Sequence, residues 1–170
     1  MGDVFNEQLV KRKETNMDRL KRVGLILAVI TLVFVTLITP AARFVAVVML
    51  AAGFGAYYLM SFLRVEYEYV FTNGELDIDI IYNRSRRKRV FSSRINQFEI
   101  MAHIEDMNHA GSFYAAQETR DYSSGETGEN TYAFLVNING KPTKVIIEPN
   151  ERMMRAITGA ISRSKLHLKK

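Results

Sequence analysis

The chain has 170 residues, 48% of them hydrophobic, with a formal net charge of +5 and no cysteine. That length holds one small domain beside any membrane segment, and the lack of Cys excludes disulfides, thiolate nucleophiles and Cys-ligated zinc or iron–sulfur centres. A mean hydropathy of -0.06 averages two unlike parts, an apolar stretch and a polar remainder.

Residues 1–22 read as a basic cytoplasmic leader. Phe5, Leu9, Met17 and Leu20 recur near helical spacing, although Lys13 interrupts the stripe. Two readings stand side by side: a short amphipathic helix lying on the membrane, and a solvated leader that only sets topology.

Val23–Thr39 and Phe44–Leu63 contain no charged residue. At the rise of an α-helix each covers about 26–30 Å, the hydrocarbon thickness of a bilayer. The sequence therefore predicts two spanning helices. Pro40 stops the first, and Pro40–Arg43 leaves room only for a reversal, so residues 23–63 form a transmembrane hairpin with both outer ends on one side. Lys11, Arg12, Lys13, Arg19, Lys21 and Arg22 precede the first span and Arg64 follows the second, against Arg43 alone in the turn. By the positive-inside rule both termini are cytoplasmic, in a multi-pass protein of the cytoplasmic (inner) membrane. The rival is a cleaved signal peptide ending near Thr39–Ala42. The long preceding segment and the immediate second span argue against it. Gly53 and Gly55, with Ala51, Ala52 and Ala56, offer a small-residue patch for helix packing and leave a homo-oligomer through the spans open. Neither span carries an ionisable residue at depth, which argues for an anchor rather than a transporter or channel.

From Val65 the hydrophobic period changes to two. Val65–Thr72 and Glu75–Tyr82 read as strands joined by an Asn73-Gly74 type I′ turn, with Leu76, Ile78 and Ile80 toward the core and Asp77 and Asp79 in water. Further strands are expected over Arg86–Ser92, Ile95–Ile104 (Phe98, Ile100 and Ala102 inward) and Ser112–Tyr122. A flexible surface loop over 123–130 precedes a hairpin of 131–138 and 141–148 about Asn139-Gly140. Pro149 opens a closing amphipathic helix over about 150–166 on Met153, Met154, Ile157, Ala160 and Ile161. The expected fold class is α+β: a transmembrane helical hairpin, then a cytoplasmic domain of residues 64–170 with seven strands in two meanders closed by a C-terminal helix, the arrangement of a pleckstrin-homology (PH) like sandwich or barrel.

Three stretches carry a resemblance: Glu7–Lys13, Glu66–Asp79 with its basic continuation, and Glu148–Glu151. Through them the chain resembles an uncharacterised family of bacterial two-span membrane proteins with a PH-like domain. The resemblance implies topology and fold. It implies no activity and no catalytic residue.

The most concentrated chemistry is Arg84-Ser85-Arg86-Arg87-Lys88-Arg89, with Arg94 nearby. A strand that leaves the membrane and turns at Asn73-Gly74 has a partner that returns, bringing this run back to the lipid surface. Cations there, each worth roughly 1 kcal/mol against an anionic leaflet, would clamp the domain to lipid headgroups. The plainer alternative is a topological signal plus a solvated turn. Without interleaved aromatic residues the run does not read as a nucleic-acid site. His103, Glu105, Asp106 and His109 have ligand chemistry but match no familiar metal spacing, so no metal is assigned. Phosphate loops, nucleophile elbows and His-Glu-x-x-His motifs are missing, which points to no enzyme and no cofactor. The functional expectation is a membrane-anchored binding or scaffold module. Its partners are the bilayer and anionic lipids, or else a protein partner or larger membrane complex engaged at a strand edge or groove beside the closing helix, bordered by Tyr114 and Tyr122.

Overall fold

The structure, a computed structural model, describes residues 5–107 and 110–167. His109 and the last three residues therefore lie outside the described residues. The chain divides into two compact units: residues 14–65, and residues 1–13 together with 66–170.

The first unit is a helical pair. Helix α1 (Asn16–Ile38) starts earlier than the apolar run because Thr15 and Asp18 make a reciprocal cap. The Thr15 hydroxyl accepts from the Asp18 N–H at 3.2 Å, and the Asp18 carboxylate accepts from the Thr15 N–H at 3.1 Å. A 3₁₀ turn, Pro40–Phe44, then leads into helix α2 (Val45–Ser61). The helical segments Asn16–Ile38 and Ala42–Ser61 are long and apolar enough to cross a membrane. Their large side chains are solvent-facing within the unit, Leu50 at 76% and Phe54 at 73%. Such exposure is untenable for a helix in water and normal for one in lipid.

The second unit begins before the helices. Phe5–Lys11 is a strand, β1, and not part of a leader helix. Its period is two: Asn6, Gln8 and Val10 are less exposed than Phe5, Glu7, Leu9 and Lys11. It pairs antiparallel with β2 (Val65–Thr72), Phe5 opposite Thr72 and Lys11 opposite Glu66. With β3 (Glu75–Tyr82) and β4 (Arg86–Arg94) they make a four-stranded sheet in sequence order. The helical pair is thus inserted in the connection between the first two strands of one sheet.

A 3₁₀ turn at Ile95–Gln97 breaks the expected fourth strand, leaving β5 (Ile100–His103). Of the expected fifth strand, Ser112–Tyr122, the first part belongs to a 3₁₀ turn, Ala110–Ala115, and the later part is strand β6 (Glu118–Asp121). Then come β7 (Tyr132–Ile138), β8 (Lys141–Ile147), α3 (Glu151–Ala160) and β9 (Leu166–His167). These strands form a second sheet of order β6-β8-β7-β5-β9. The expected seven-stranded barrel is therefore two open sheets. The closing helix is also shorter than expected, because the backbone turns extended at Ile161 and the chain goes on to pair with β5. Asn150, not Pro149, caps that helix by accepting from the Met153 N–H at 2.8 Å.

Helix α3 buries Met153 and Ile157, and Ile161 beyond it, against the domain core. The core is aromatic: Phe98 stacks on Phe134 at 3.9 Å and 8°, with Phe91 at 5.6 Å from Phe134 and Tyr67 edge-on to Tyr122. Two polar ties join the N-terminal strand and β2 to the start of α3. The Gln8 amide donates to the Glu148 carbonyl at 2.8 Å and accepts from the Asn150 N–H at 2.7 Å. The fully buried Tyr69 hydroxyl donates to the Tyr122 carbonyl at 2.6 Å and accepts from the Glu148 N–H at 3.2 Å. Burial raises the Tyr69 pKa, so the phenol stays neutral. Tyr69→Phe strands a buried N–H and a buried C=O, at an expected cost of about 1–3 kcal/mol in urea unfolding of the β domain. A change within about 0.5 kcal/mol would show that these groups find other partners.

Candidate functional site

Three hairpin turns place residues in the left-handed region. Asn73-Gly74 (φ 49° and 87°) and Asn139-Gly140 (φ 51° and 83°) use glycine at the second position. Asn83-Arg84 (φ 48° and 56°) joins β3 to β4 with an arginine in that place, where a side chain costs about 1 kcal/mol. The Ser85 N–H closes this turn on the Tyr82 carbonyl at 3.1 Å. It lies at the end of the four-stranded sheet where β1 finishes and β2 begins, the end at which the chain passes to and from the apolar helices.

Beyond the turn, β4 carries a bulge. Ile78 faces Phe91 but Asp79 faces Arg89, so Val90 is the extra residue. A one-residue slip exchanges the two faces of a strand. Without it, Arg87 and Arg89 would point inward with Phe91. With it, they join Glu66, Glu68, Asp77 and Asp79 on the outer face. The resulting ion pairs are Arg84–Glu66 at 3.6 Å, Arg87–Glu68 at 2.6 Å, and Arg89 to both Asp77 (3.1 Å) and Asp79 (3.3 Å). Arg86 and Lys88 alternate to the other face, opposite Tyr82 and Ile80 in the register.

The site is layered. The side chains of Arg87 and Arg89 are 57% and 58% exposed, whereas those of Glu68 and Asp79 beneath them are 2% and 9% exposed. Asp79 is thus buried under a guanidinium rather than standing in water. Glu68 Oε2 and Asp77 Oδ1 are buried without a hydrogen-bond partner. Burial, then the neighbouring Glu7 carboxyl, raise the Glu68 pKa above 4.5, and Arg87 only partly opposes them. The cations are legible in the sequence, and their counter-layer is not. The signal was Glu66-x-Glu68 and Asp77-x-Asp79, carboxylates at period two beside a cationic strand.

Some of the residues expected to set topology make contacts within the fold. Lys11 pairs in register with Glu66. The Lys13 N–H donates to the Ser124 carbonyl at 2.8 Å, and its ammonium pairs with Glu126. Arg22 pairs with Glu14 at 2.8 Å, while Arg19 and Lys21 ride exposed on α1. Arg12 lies between β1 and α1, and Arg64 just ahead of β2. A Cβ added at Gly53 or Gly55 would meet nothing within 4 Å, so neither glycine lies in a close helix contact within the chain.

The 123–130 segment is stapled rather than free. Ser124 N–H donates to the Glu148 carboxylate at 3.0 Å, and Ser123 and Thr131 are buried. His103 is also structural: its Nε2 lies 3.2 and 3.1 Å from the Gly128 and Glu129 carbonyls, and its Nδ1 accepts from the Glu105 N–H at 3.2 Å. It is therefore not free to join Glu105 and Asp106 around a metal. Tyr122 belongs to the core and Tyr114 is 86% exposed, so they do not border one groove. A cleft of about 910 Å³ does lie beside α3, lined among others by Asn73, Gly74, Arg94, Asn96, Arg155 and Gly159.

A family model described as "Bacterial PH-like domain (DUF6106)" matches residues 2–166. No curated protein and no solved structure matches the chain.

Proposed function

The chain belongs to this bacterial PH-like domain family, and from that premise we propose that it is a non-enzymatic module, anchored in the cytoplasmic membrane by α1 and α2, whose β3–β4 edge docks on anionic lipid headgroups. Arg84, Arg86, Arg87, Lys88 and Arg89 make the contact. The observation that carries this reading is the turn itself: among the described residues, the one hairpin with arginine in glycine's place stands at the sheet end linked to both apolar helices. Backbone strain kept at one position is a mark of function. The ion pairs do not preclude docking, since the side chains of Arg84, Arg87 and Arg89 remain 78%, 57% and 58% exposed above their carboxylates.

The test uses the full chain in lipid nanodiscs. With no native cysteine, S85C, exposed in the turn among these cations, accepts a single polarity-sensitive probe. The probe is expected to become shielded in discs containing anionic phospholipid, to stay solvated in neutral discs, and to be released by high salt. Equal probe signals in the two lipids contradict the proposal. Arg84→Gly should separate fold from function: stability rises by about 1 kcal/mol as the left-handed strain is relieved, while shielding in anionic discs falls. A loss of stability would show that the arginine serves the fold.

The cleft beside α3 favours a second reading, a peptide-binding module in which Arg94 and Arg155 engage a partner's acidic side chains. In native membranes, a dominant protein cross-link that persists after neutralising Arg84–Arg89 would support it over lipid docking.

A further inference from the structure

The outer face of the four-stranded sheet sets Glu7, Glu66, Glu68, Asp77 and Asp79 against Lys11, Arg84, Arg87 and Arg89, so fully ionised it has no positive excess to offer an anionic surface. The bulge at Val90 makes this so by turning Arg87 and Arg89 toward carboxylates. A phosphate approaching Arg87 from solvent must therefore compete with a carboxylate already in place behind it. Among these pairs Glu68–Arg87 is the closest, and its carboxylate the most buried.

We infer that Glu68 is a proton-operated latch on the docking edge: ionised, it holds Arg87 back from headgroup phosphates, and on protonation it releases Arg87 to them. This deepens the lipid-docking reading and rests on it. The geometry is that of a latch. One Glu68 oxygen accepts from Arg87 at 2.6 Å, and the other is buried with no partner. A carboxylate held this way keeps its charge only through one guanidinium. Around it stand Glu7 on β1, Glu66 on its own strand, Asp77 and Asp79 on β3, and Arg87 and Arg89 on β4; Leu9 of β1 is its register partner. Desolvation and the flanking carboxylates all favour the protonated form. A proton from solvent on Glu68 leaves a neutral acid that no longer balances Arg87, and the face loses its net negative charge. In the folded chain the proton is held more tightly than in the unfolded one. Glu68 therefore adds stability as the pH falls from neutral toward 4.5, and no more below it.

The experiment follows the S85C probe in the full chain, in anionic and neutral discs, across a series from about pH 7 down to about pH 4.5. Acidification is expected to strengthen shielding about fivefold in anionic discs, the worth of one freed cation, and to leave neutral discs unchanged. E68Q should show the acid level already at neutral pH, with little further response. R87A should dock weakly and lose the acid gain, which guards against a misfolded E68Q. If E68Q keeps the wild-type pH response, the latch is overturned while anionic-lipid shielding preserves the docking reading. If no variant is shielded in anionic discs at either pH, both fall together.

Discussion

Deleting residues 1–13 is expected to abolish cooperative folding of the β domain, although the deletion leaves both apolar helices and residues 65–170 intact. The loss has three parts. It bares the β2 edge along its whole pairing with β1, removes the buried Val10, and deletes the Gln8 amide that holds both Glu148 and Asn150. One buried valine is worth about 1.5–3 kcal/mol and two hydrogen bonds about 1–3 kcal/mol. With the ladder bonds added, the sum reaches the scale of a small domain's whole stability, about 5–15 kcal/mol. Urea unfolding followed by near-ultraviolet circular dichroism should lose its sigmoidal transition. A fragment of residues 65–170 should behave the same way. Joining residues 5–13 to 65–167 through a short glycine linker, in place of the helices, should restore folding. A cooperative transition in the deletion variant would mean that β1 is dispensable.

The second large effect lies in the second sheet. Phe134 is fully buried, stacked on Phe98 and tilted against Phe91. Phe134→Ala should cost about 3–5 kcal/mol, because lost transfer energy and an unfilled cavity add together. Phe5, 60% exposed on β1, is the control, and Phe5→Ala should stay within about 0.5 kcal/mol in the same unfolding assay. If the two variants matched, the aromatic stack would not be the core.

What could be read from sequence follows from where the determining interactions lie. The two Asn-Gly turns and the strands flanking them are local, set by the only residues that take a left-handed pair cheaply. The apolar helices are local as well. The first strand was not legible, because a seven-residue alternation before a helix has no neighbour in sequence; its partner begins more than fifty residues on. Separations of more than a hundred residues hid the Lys13–Ser124 and Gln8–Asn150 ties, the first of which helps turn a composition typical of free loops into a fixed segment. At the docking edge the cations were plain and the bulge was not. A single extra residue at Val90 decides which face the arginines share, and strand alternation alone cannot reveal it.

The docking edge, the latch and the anchor all presuppose that the segments before and after the helices form one sheet. E7C/V70C tests this most directly, since Glu7 and Val70 are register partners and the chain has no other cysteine. Directly opposed strand positions lie within disulfide reach. Mild oxidation of the full chain in membranes is expected to yield the intramolecular disulfide as the main product, seen by mass spectrometry as the linked peptide pair. Two thiols that remain open to maleimide under those conditions would contradict the account.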